Sequence, residues 1–129
     1  MRLLLDSHIL LAVVRDSVSD FGPEIALMVR SQDHELFASA ASLWEIAIKV
    51  RLGKLDAGMH LGDLPGYYLS AGMNLLAVDH RHAVSALATQ PATRDPFDRM
   101  LLAQCEVEGL QLITVDRVLA AHPLAWRPG

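Results

Sequence analysis

Three short apolar runs that each end at an aspartate constrain the fold of this chain most strongly. LLL precedes Asp6, LLAV precedes Asp79 and LITV precedes Asp116, and a segment with helical character follows each aspartate. Runs this short, alternating with helices, are typical of buried strands in a parallel sheet that is covered on both faces. We therefore predict an α/β fold with three layers, α/β/α, around a central, mainly parallel sheet of four to five short strands.

Capping residues and chain breakers set the predicted element boundaries. Asp95-Pro96 predicts a helix start, and Gly53 and Gly109 predict helix ends. The predicted strands are residues 3–5, 35–38, 75–78 and 110–115. The predicted helices are residues 7–15, 23–31, 39–52, a short one around Tyr67-Tyr68, 79–89, 96–108 and a last short one that begins at Asp116.

Length and composition predict one domain spanning residues 1–129. A chain of 129 residues is long enough to bury a sizeable core, and 52% of its residues are hydrophobic. The lone Cys105 excludes an internal disulfide and is expected to be a small core residue. The N-terminal stretch MRLLLDSHILLAVV resembles a signal peptide in hydropathy, but Asp6 and His8 interrupt it, so we interpret it as a strand and a helix. With no run of about 20 apolar residues, we expect no contact with a membrane and a cytoplasmic location.

The negative charge of the chain is concentrated at a few positions. The formal net charge is −4, from 15 acids and 11 lysines and arginines. When Asp6, Glu45, Asp98 and Asp116 are set aside, 11 acids remain against 11 basic residues, so the rest of the chain is balanced. A net negative charge therefore does not by itself exclude a nucleic-acid substrate.

Each of these acids also has a purely structural interpretation. Asp6 and Asp116 follow strands and suit the N-caps of the next helices, as does Asp79, for which we keep the capping role. Glu45 suits a capping box with Ser42 or, if the helix begins near residue 40, a place inside its first or second turn. Asp98 fits a cap least well, because it lies one turn before Leu101 and Leu102 on the face predicted to be buried.

A divalent cation would resolve the repulsion in such a cluster. Two carboxylates about 5 Å apart repel each other by roughly 3 kcal/mol at an effective dielectric constant near 20, and an empty cluster would raise its own pKa values. Ligation by oxygen atoms alone favours Mg²⁺ or Mn²⁺, since the chain offers no cysteine pair or histidine pair for zinc. A cation held by few carboxylates keeps waters that can attack a phosphodiester bond.

Four motifs in order give the chain a family resemblance that covers nearly its whole length. LLLDSHILLAV, AASLWEIAIKVRLGKL, RDPFDRMLLAQ and LITVDRVLAA resemble the four acidic motifs of the PIN-domain ribonucleases, and more closely those of the toxins of VapBC-type toxin–antitoxin pairs. The chain departs from many of these toxins at Asp79-His80, where they have a hydroxyl residue followed by Glu-His.

The resemblance implies roles for particular residues. Asp6, Glu45, Asp98 and Asp116 would be the catalytic acids of the four motifs and would bind the metal, with Ser7 and Thr114 as supporting hydroxyl residues. Asp95 would first cap the helix and second act as an outer ligand. The implied enzyme is a Mg²⁺- or Mn²⁺-dependent endoribonuclease for single-stranded RNA.

The same resemblance implies partners. A cognate antitoxin would cover the acidic groove with its C-terminal segment, often presenting an arginine to it. The chain would form a homodimer, and it would reach operator DNA only through the antitoxin.

Side chains outside the acid set support weaker predictions. Lys49, Arg51, Arg94 and Arg99 are the expected RNA contacts. The six histidines have no convincing ligand spacing, and we interpret them as surface or helix-start residues. Trp44 is expected to pack against a neighbouring helix rather than stack on bases, and the Tyr67-Tyr68 segment is a candidate dimer or antitoxin surface.

Two alternative functions remain open at this point. A phosphatase of the haloacid-dehalogenase type also begins with an aspartate after the first strand, but it needs a second aspartate two residues later, where this chain has His8. A non-catalytic PIN-like domain that binds a cation and a partner would keep the fold without cleaving RNA.

Overall fold

A parallel four-stranded sheet forms the centre of the molecule, as the apolar runs predicted. The computed structural model describes residues 1–128, and within them the strands are β1 (Arg2–Leu5), β2 (Glu35–Ser39), β3 (Asn74–Leu76) and β4 (Gln111–Ile113). The strands lie in the order β3-β2-β1-β4, and every neighbouring pair is parallel. β1 is followed at once by the helix cap Asp6, and β2 ends at Ser39, which caps α3.

Seven α-helices accompany these strands within residues 1–128. They are α1 (Ser7–Val14), α2 (Pro23–Arg30), α3 (Ala40–Arg51), α4 (Leu64–Ser70), α5 (His80–Val84), α6 (Pro96–Glu108) and α7 (Arg117–Ala120). Two short 3-10 turns, Val18–Phe21 and Leu61–Asp63, lie in segments predicted as loops.

Alternating side chains of the strands divide the core into two faces. Leu3 and Leu5 pack with residues of α1, α3 and α4, whereas Leu4 packs with residues of α6 and with Leu112 of β4. Successive side chains of a strand point to opposite faces of a sheet, so a strand covered on both faces needs an unbroken apolar run. This arrangement is the predicted three-layer α/β/α architecture.

The strand order creates a crevice at the carboxyl edge of the sheet. The chain moves from β1 to β2 and β3 on one side and then returns to place β4 on the other side of β1. In open parallel sheets, ligands bind where the strand order reverses in this way. Here the reversal lies between β1 and β4, whose ends lead to Asp6 and Asp116.

The helix predicted at residues 79–89 is shorter in the structure. Helix α5 ends at Val84, because Ser85 is extended and Leu87 adopts a left-handed conformation with φ of 56°. The turn buries Leu87 among residues of α6, and Glu106 accepts a hydrogen bond from the Ala88 N–H. Tertiary packing therefore replaces the helix that the local sequence favours.

Several side chains expected near the surface are buried. Tyr68 is fully buried and its hydroxyl donates to the Leu10 carbonyl at 2.7 Å, so only Tyr67 of this pair is partly exposed. His82 and His122 are also buried, whereas they were predicted as surface or helix-start residues. His82 does lie in the first turn of α5, and its Nδ1 accepts from the Asp79 N–H in a capping box. Cys105 is buried in the core, as predicted.

None of the helices within residues 1–128 is both long enough and apolar enough to span a membrane.

The two tyrosine hydroxyls provide a matched test of how α4 is attached to α1. Tyr68→Phe should lower the free energy of unfolding by about 1 kcal/mol, because a buried hydrogen bond of 2.7 Å is lost. Tyr67→Phe should cost less, because its hydroxyl donates to Val13 at 3.3 Å in a partly exposed position. Urea denaturation of the two variants measures the difference, and equal losses would contradict the assignment of Tyr68 as the main attachment.

Candidate active site

Side chains from four separate parts of the chain line one small polar pocket at the carboxyl edge of the sheet. Its volume is about 90 Å³. The lining residues are Asp6, Ser7, His8, Glu45, Lys49, Asp95, Asp98, Asp116 and Leu119. Asp6 and Thr114 are 108 positions apart in the sequence, yet parallel pairing of β1 with β4 brings them together.

Thr114 joins the first acid to the last. Its hydroxyl donates to Oδ2 of Asp6 and accepts a hydrogen bond of 3.1 Å from the backbone N–H of Asp116. Oδ1 of Asp6 accepts from the Ile9 N–H at 3.1 Å, and Asp6 is 3% exposed. Burial raises the pKa of Asp6 above its ordinary value, and the hydrogen bonds from Thr114 and the backbone oppose that rise. Asp6 therefore lies in a fixed orientation at the floor of the pocket.

Asp116 and Asp95 each cap a helix with one oxygen. Oδ1 of Asp116 accepts from the N–H groups of Val118 and Leu119 at 2.8 and 3.1 Å. Oδ1 of Asp95 accepts from the N–H groups of Phe97 and Asp98 at 2.8 and 3.2 Å, as the predicted cap requires. Within residues 1–128, no protein donor reaches the second oxygen of either carboxylate. Capping thus fixes these acids while leaving one oxygen of each available to the pocket.

The surroundings of Asp98 in the pocket raise its pKa. Desolvation first, and the negative charge of Asp95 second, raise the pKa of Asp98 to about 6, and Glu45 and Asp116 add to the effect. The hydroxyl of Thr93 donates to Oδ2 of Asp98 at 3.1 Å and partly offsets this rise. The predicted placement of Asp98 toward the sheet edge accounts for its half-buried environment.

Glu45 is held by two donors, one for each carboxylate oxygen. The Ser7 hydroxyl donates to Oε1 at 2.5 Å, and the Lys49 ammonium group donates to Oε2 at 3.1 Å. The capping-box interpretation was wrong, because α3 begins at Ala40 with Ser39 as its N-cap and Glu45 lies in the second turn. The Ser42 hydroxyl is buried and has no hydrogen-bond partner within the part of the chain that the structure describes.

The structure brings some predicted site residues together and leaves others outside. The four acids of the motifs line the pocket together with Ser7, Asp95 and Lys49. Thr114 is not a lining residue, but its hydroxyl donates a hydrogen bond to Asp6. Arg51, Arg94 and Arg99 are not among the lining residues, and Arg99 donates instead to the Ser85 carbonyl at 3.4 Å. Thr93 was not identified from the sequence as a site residue, although its hydroxyl donates to Asp98. The same hydroxyl accepts from the N–H of Asp95 two residues later, which is a common local pattern before a helix.

A second group of acids lies at α5 and α6, away from this pocket. Potential ligand atoms of Asp79, His82 and Glu108 all lie within 4.8 Å of one another. Arg81 already binds Asp79 at 2.9 Å and Glu108 at 2.6 Å, and both ring nitrogens of His82 are used by Asp79 and Glu108. This group is a complete ion-pair and capping network, in agreement with the capping role predicted for Asp79.

The donors that line the polar pocket fit a hard divalent cation. Five carboxylates and the Ser7 hydroxyl offer oxygen ligands beside the imidazole of His8, and no cysteine is among the described residues that line the pocket. Among the described residues, the Asp79 group is the one set of three whose potential ligand atoms lie within 4.8 Å of one another, so the pocket acids do not meet that spacing.

Comparison with known proteins identifies the family of the chain and solved structures with a similar fold. The family model of the PIN domain matches residues 3–123. The fold is similar to that of a chain in the crystal structure of VapBC2 from Rickettsia felis bound to a DNA fragment from their promoter, with a TM-score of 0.62 and 12% sequence identity. The similarity covers 97% of this chain and 96% of that chain. No curated protein matches the sequence.

The raised pKa of Asp98 predicts how stability depends on pH in the absence of a divalent cation. The unfolded chain releases this proton near pH 4 and the folded protein near pH 6, so stability should fall as pH rises through that window. Asp98→Asn should stabilise the protein at pH 7–8 by about 1 kcal/mol after solvent screening is allowed for, and should change little at pH 4.

Thermal unfolding in EDTA at several pH values measures this effect. Asp33→Asn is the control, because it removes the same charge from an exposed loop position. A variant of Asp98 that is less stable than the wild type at pH 8 would contradict the assigned environment of this side chain.

Proposed function

The chain belongs to the PIN domain family, and we propose that it is a divalent-cation-dependent endoribonuclease that cleaves single-stranded RNA as the toxin of a toxin–antitoxin pair. The observation that carries the proposal is the convergence of Asp6, Asp98 and Asp116, with Glu45 beside them, in one pocket at the reversal of strand order. Residues 1–129 would form a single PIN domain acting in the cytoplasm.

The proposed reaction is hydrolysis of a phosphodiester bond. A bound Mg²⁺ or Mn²⁺ ion would supply an activated water and stabilise the charge on the leaving oxygen. Oδ1 of Asp98 and Oδ2 of Asp116 have no protein donor within residues 1–128, and with the carboxylate of Asp6 they are the proposed contacts to the cation. Glu45 was predicted from the sequence as a fourth.

The chain's own contribution is to hold these groups in place before substrate arrives. Backbone N–H groups fix Asp6 and Asp116, and the Thr114 hydroxyl sets the relative position of their two strands. Groups held in this way need little rearrangement as negative charge develops during the reaction. The small volume of about 90 Å³ suits a cation with a phosphate group rather than a base, so bases would remain outside the pocket.

Partners belong to the same proposal. The fold neighbour was crystallised as VapBC2 with promoter DNA, which supports a cognate antitoxin that covers the acidic pocket and carries the contact to operator DNA. A homodimer is also proposed. An apolar groove between α3 and α6 is lined by Trp44, Val78, Phe97 and Met100. Trp44 is 63% exposed there and meets Phe97 edge to face, so its predicted packing against a neighbouring helix is only partial.

Cleavage of RNA is tested with a random-sequence single-stranded RNA pool in the presence of Mg²⁺. Asp98→Asn should lower the cleavage rate at least about 100-fold, because a group that binds the cation is lost, while Asp33→Asn should cleave like the wild type. EDTA should stop cleavage and Mn²⁺ should restore it. Undiminished cleavage by the Asp98 variant would remove this residue from the site, and a folded wild type that binds Mg²⁺ without cleaving RNA would favour the non-catalytic alternative.

Binding of the cation should also stabilise the fold. At a Mg²⁺ concentration of about 100 times its dissociation constant, the free energy of unfolding should rise by about 2.7 kcal/mol. Asp98→Asn should remove most of this gain, and Asp33→Asn should retain it. Equal melting temperatures with and without millimolar Mg²⁺ in the wild type would argue against the cation.

A further inference from the structure

We propose that Glu45 positions the Lys49 ammonium group to bind a phosphate oxygen of the RNA strand, and that Glu45 does not itself bind the cation. This inference rests on the proposed nuclease function and revises one part of it, the predicted metal-binding role of Glu45. The prediction placed Glu45 in the same role as the three aspartates, but its surroundings in the pocket differ from theirs.

A charged donor separates Glu45 from the three aspartates proposed to bind the cation. One oxygen of Glu45 accepts from the Ser7 hydroxyl at 2.5 Å, and the other accepts from the Lys49 ammonium group at 3.1 Å. Both oxygens of Asp6 also accept hydrogen bonds, but only from neutral groups, and Asp98 and Asp116 each retain an oxygen that no donor within residues 1–128 reaches. A cation ligated by Glu45 would lie close to the Lys49 ammonium group, and two positive charges at that distance repel strongly.

The position of Lys49 suits a phosphate contact. It is the one lysine or arginine among the residues that line the pocket, and its side chain is 46% exposed whereas that of Glu45 is 10% exposed. An ammonium group has three N–H donors, and Glu45 takes one of them within the described residues. The remaining donors belong to a side chain that both lines the pocket and is partly exposed to solvent, so they are available to a bound strand.

The negative charge of the pocket favours a contact between Lys49 and the phosphate. Glu45 and the four lining aspartates make the pocket strongly anionic, and a phosphodiester is itself an anion. One divalent cation offsets only part of that repulsion. Lys49 lies one helical turn after Glu45 in α3, and the ion pair between them keeps its positive charge at the pocket for the phosphate. The buried hydrogen bond from Ser7 holds the Glu45 carboxylate in place.

Mg²⁺ affinity, measured by calorimetry on the full chain, tests Glu45 without any need for RNA cleavage. Glu45→Gln should keep the wild-type affinity within about 3-fold, because its amide oxygen still accepts from Lys49 and no cation ligand is lost, whereas Asp98→Asn should lose at least about 10-fold. Glu45→Gln preserves volume and is expected to fold; its melting temperature is checked first. A loss with Glu45→Gln as large as that with Asp98→Asn would overturn the proposal.

Binding of fluorescein-labelled random-sequence RNA tests Lys49, with Asp98→Asn present in every protein to prevent turnover. Lys49→Met should weaken binding about 5-fold and reduce the slope of log affinity against log salt by about 0.7, the value for one contact to single-stranded phosphate. Lys54→Met removes the same charge outside the pocket and should leave both quantities near those of the parent. A slope unchanged by Lys49→Met would overturn the proposal.

A double-mutant cycle in the same assay tests the link between the two residues. Glu45→Ala should weaken RNA binding by releasing Lys49, and combining it with Lys49→Met should add nothing further. Additive losses would show that Glu45 acts independently of Lys49 and would overturn the positioning role. Failure of the wild type to cleave RNA would count against the nuclease function alone, because neither binding measurement depends on cleavage.

Discussion

Parallel pairing of β1 with β4 is the constraint on which the rest of the site depends. It places Ile113 beside Leu5, so that the next residues of both strands, Thr114 and Asp6, meet in a hydrogen bond. Thr114 also holds the backbone of Asp116, so a single hydroxyl connects the ends of the two strands. Because the connection from β3 to β4 passes through α5 and α6, the same crossover brings Asp98 to the pocket. A change of register between β1 and β4 would therefore separate all these groups together.

The structural and functional interpretations of a strand-end aspartate prove to be compatible. Asp6, Asp79 and Asp116 all cap the helix that follows them. What distinguishes them is the partner of the second oxygen: Arg81 binds that of Asp79, Thr114 binds that of Asp6, and no donor within residues 1–128 binds that of Asp116. Sequence alone shows the cap but not the second partner, which depends on tertiary structure. Capping therefore occurs at both kinds of site. The partner of the second oxygen tells whether the aspartate belongs to an ion-pair network or to the acidic pocket.

Local chemistry determined how much of the fold could be predicted. Helix α6 was predicted with its observed ends because Asp95-Pro96 starts it and Gly109, with φ of 70°, stops it. Helix α5 was predicted too long because burial of Leu87 in the core outweighs the helical preference of its neighbours. Within the pocket, the acids were identifiable from their motifs, whereas the donors that hold Glu45 come from another helix and from the next turn. The Lys49 contact follows the i,i+4 spacing of a single helix and can be read from the sequence, whereas the Ser7 contact depends on tertiary structure and has no local sequence signal.

The balance of charge in the pocket explains why its acids are held so differently. Backbone N–H groups and helix N-termini offset the charge of Asp6, Asp95 and Asp116, because a carboxylate at a helix N-terminus is favoured by the helix dipole. Glu45 is offset by Lys49, and Asp98 has only the neutral hydroxyl of Thr93 besides its place in the first turn of α6. Desolvation raises the pKa of Asp98 most, and the negative charges of Asp95, Glu45 and Asp116 add to it, with only the Thr93 hydrogen bond to oppose them. A divalent cation bound against Asp98 would supply the positive charge that the chain itself does not provide at this carboxylate.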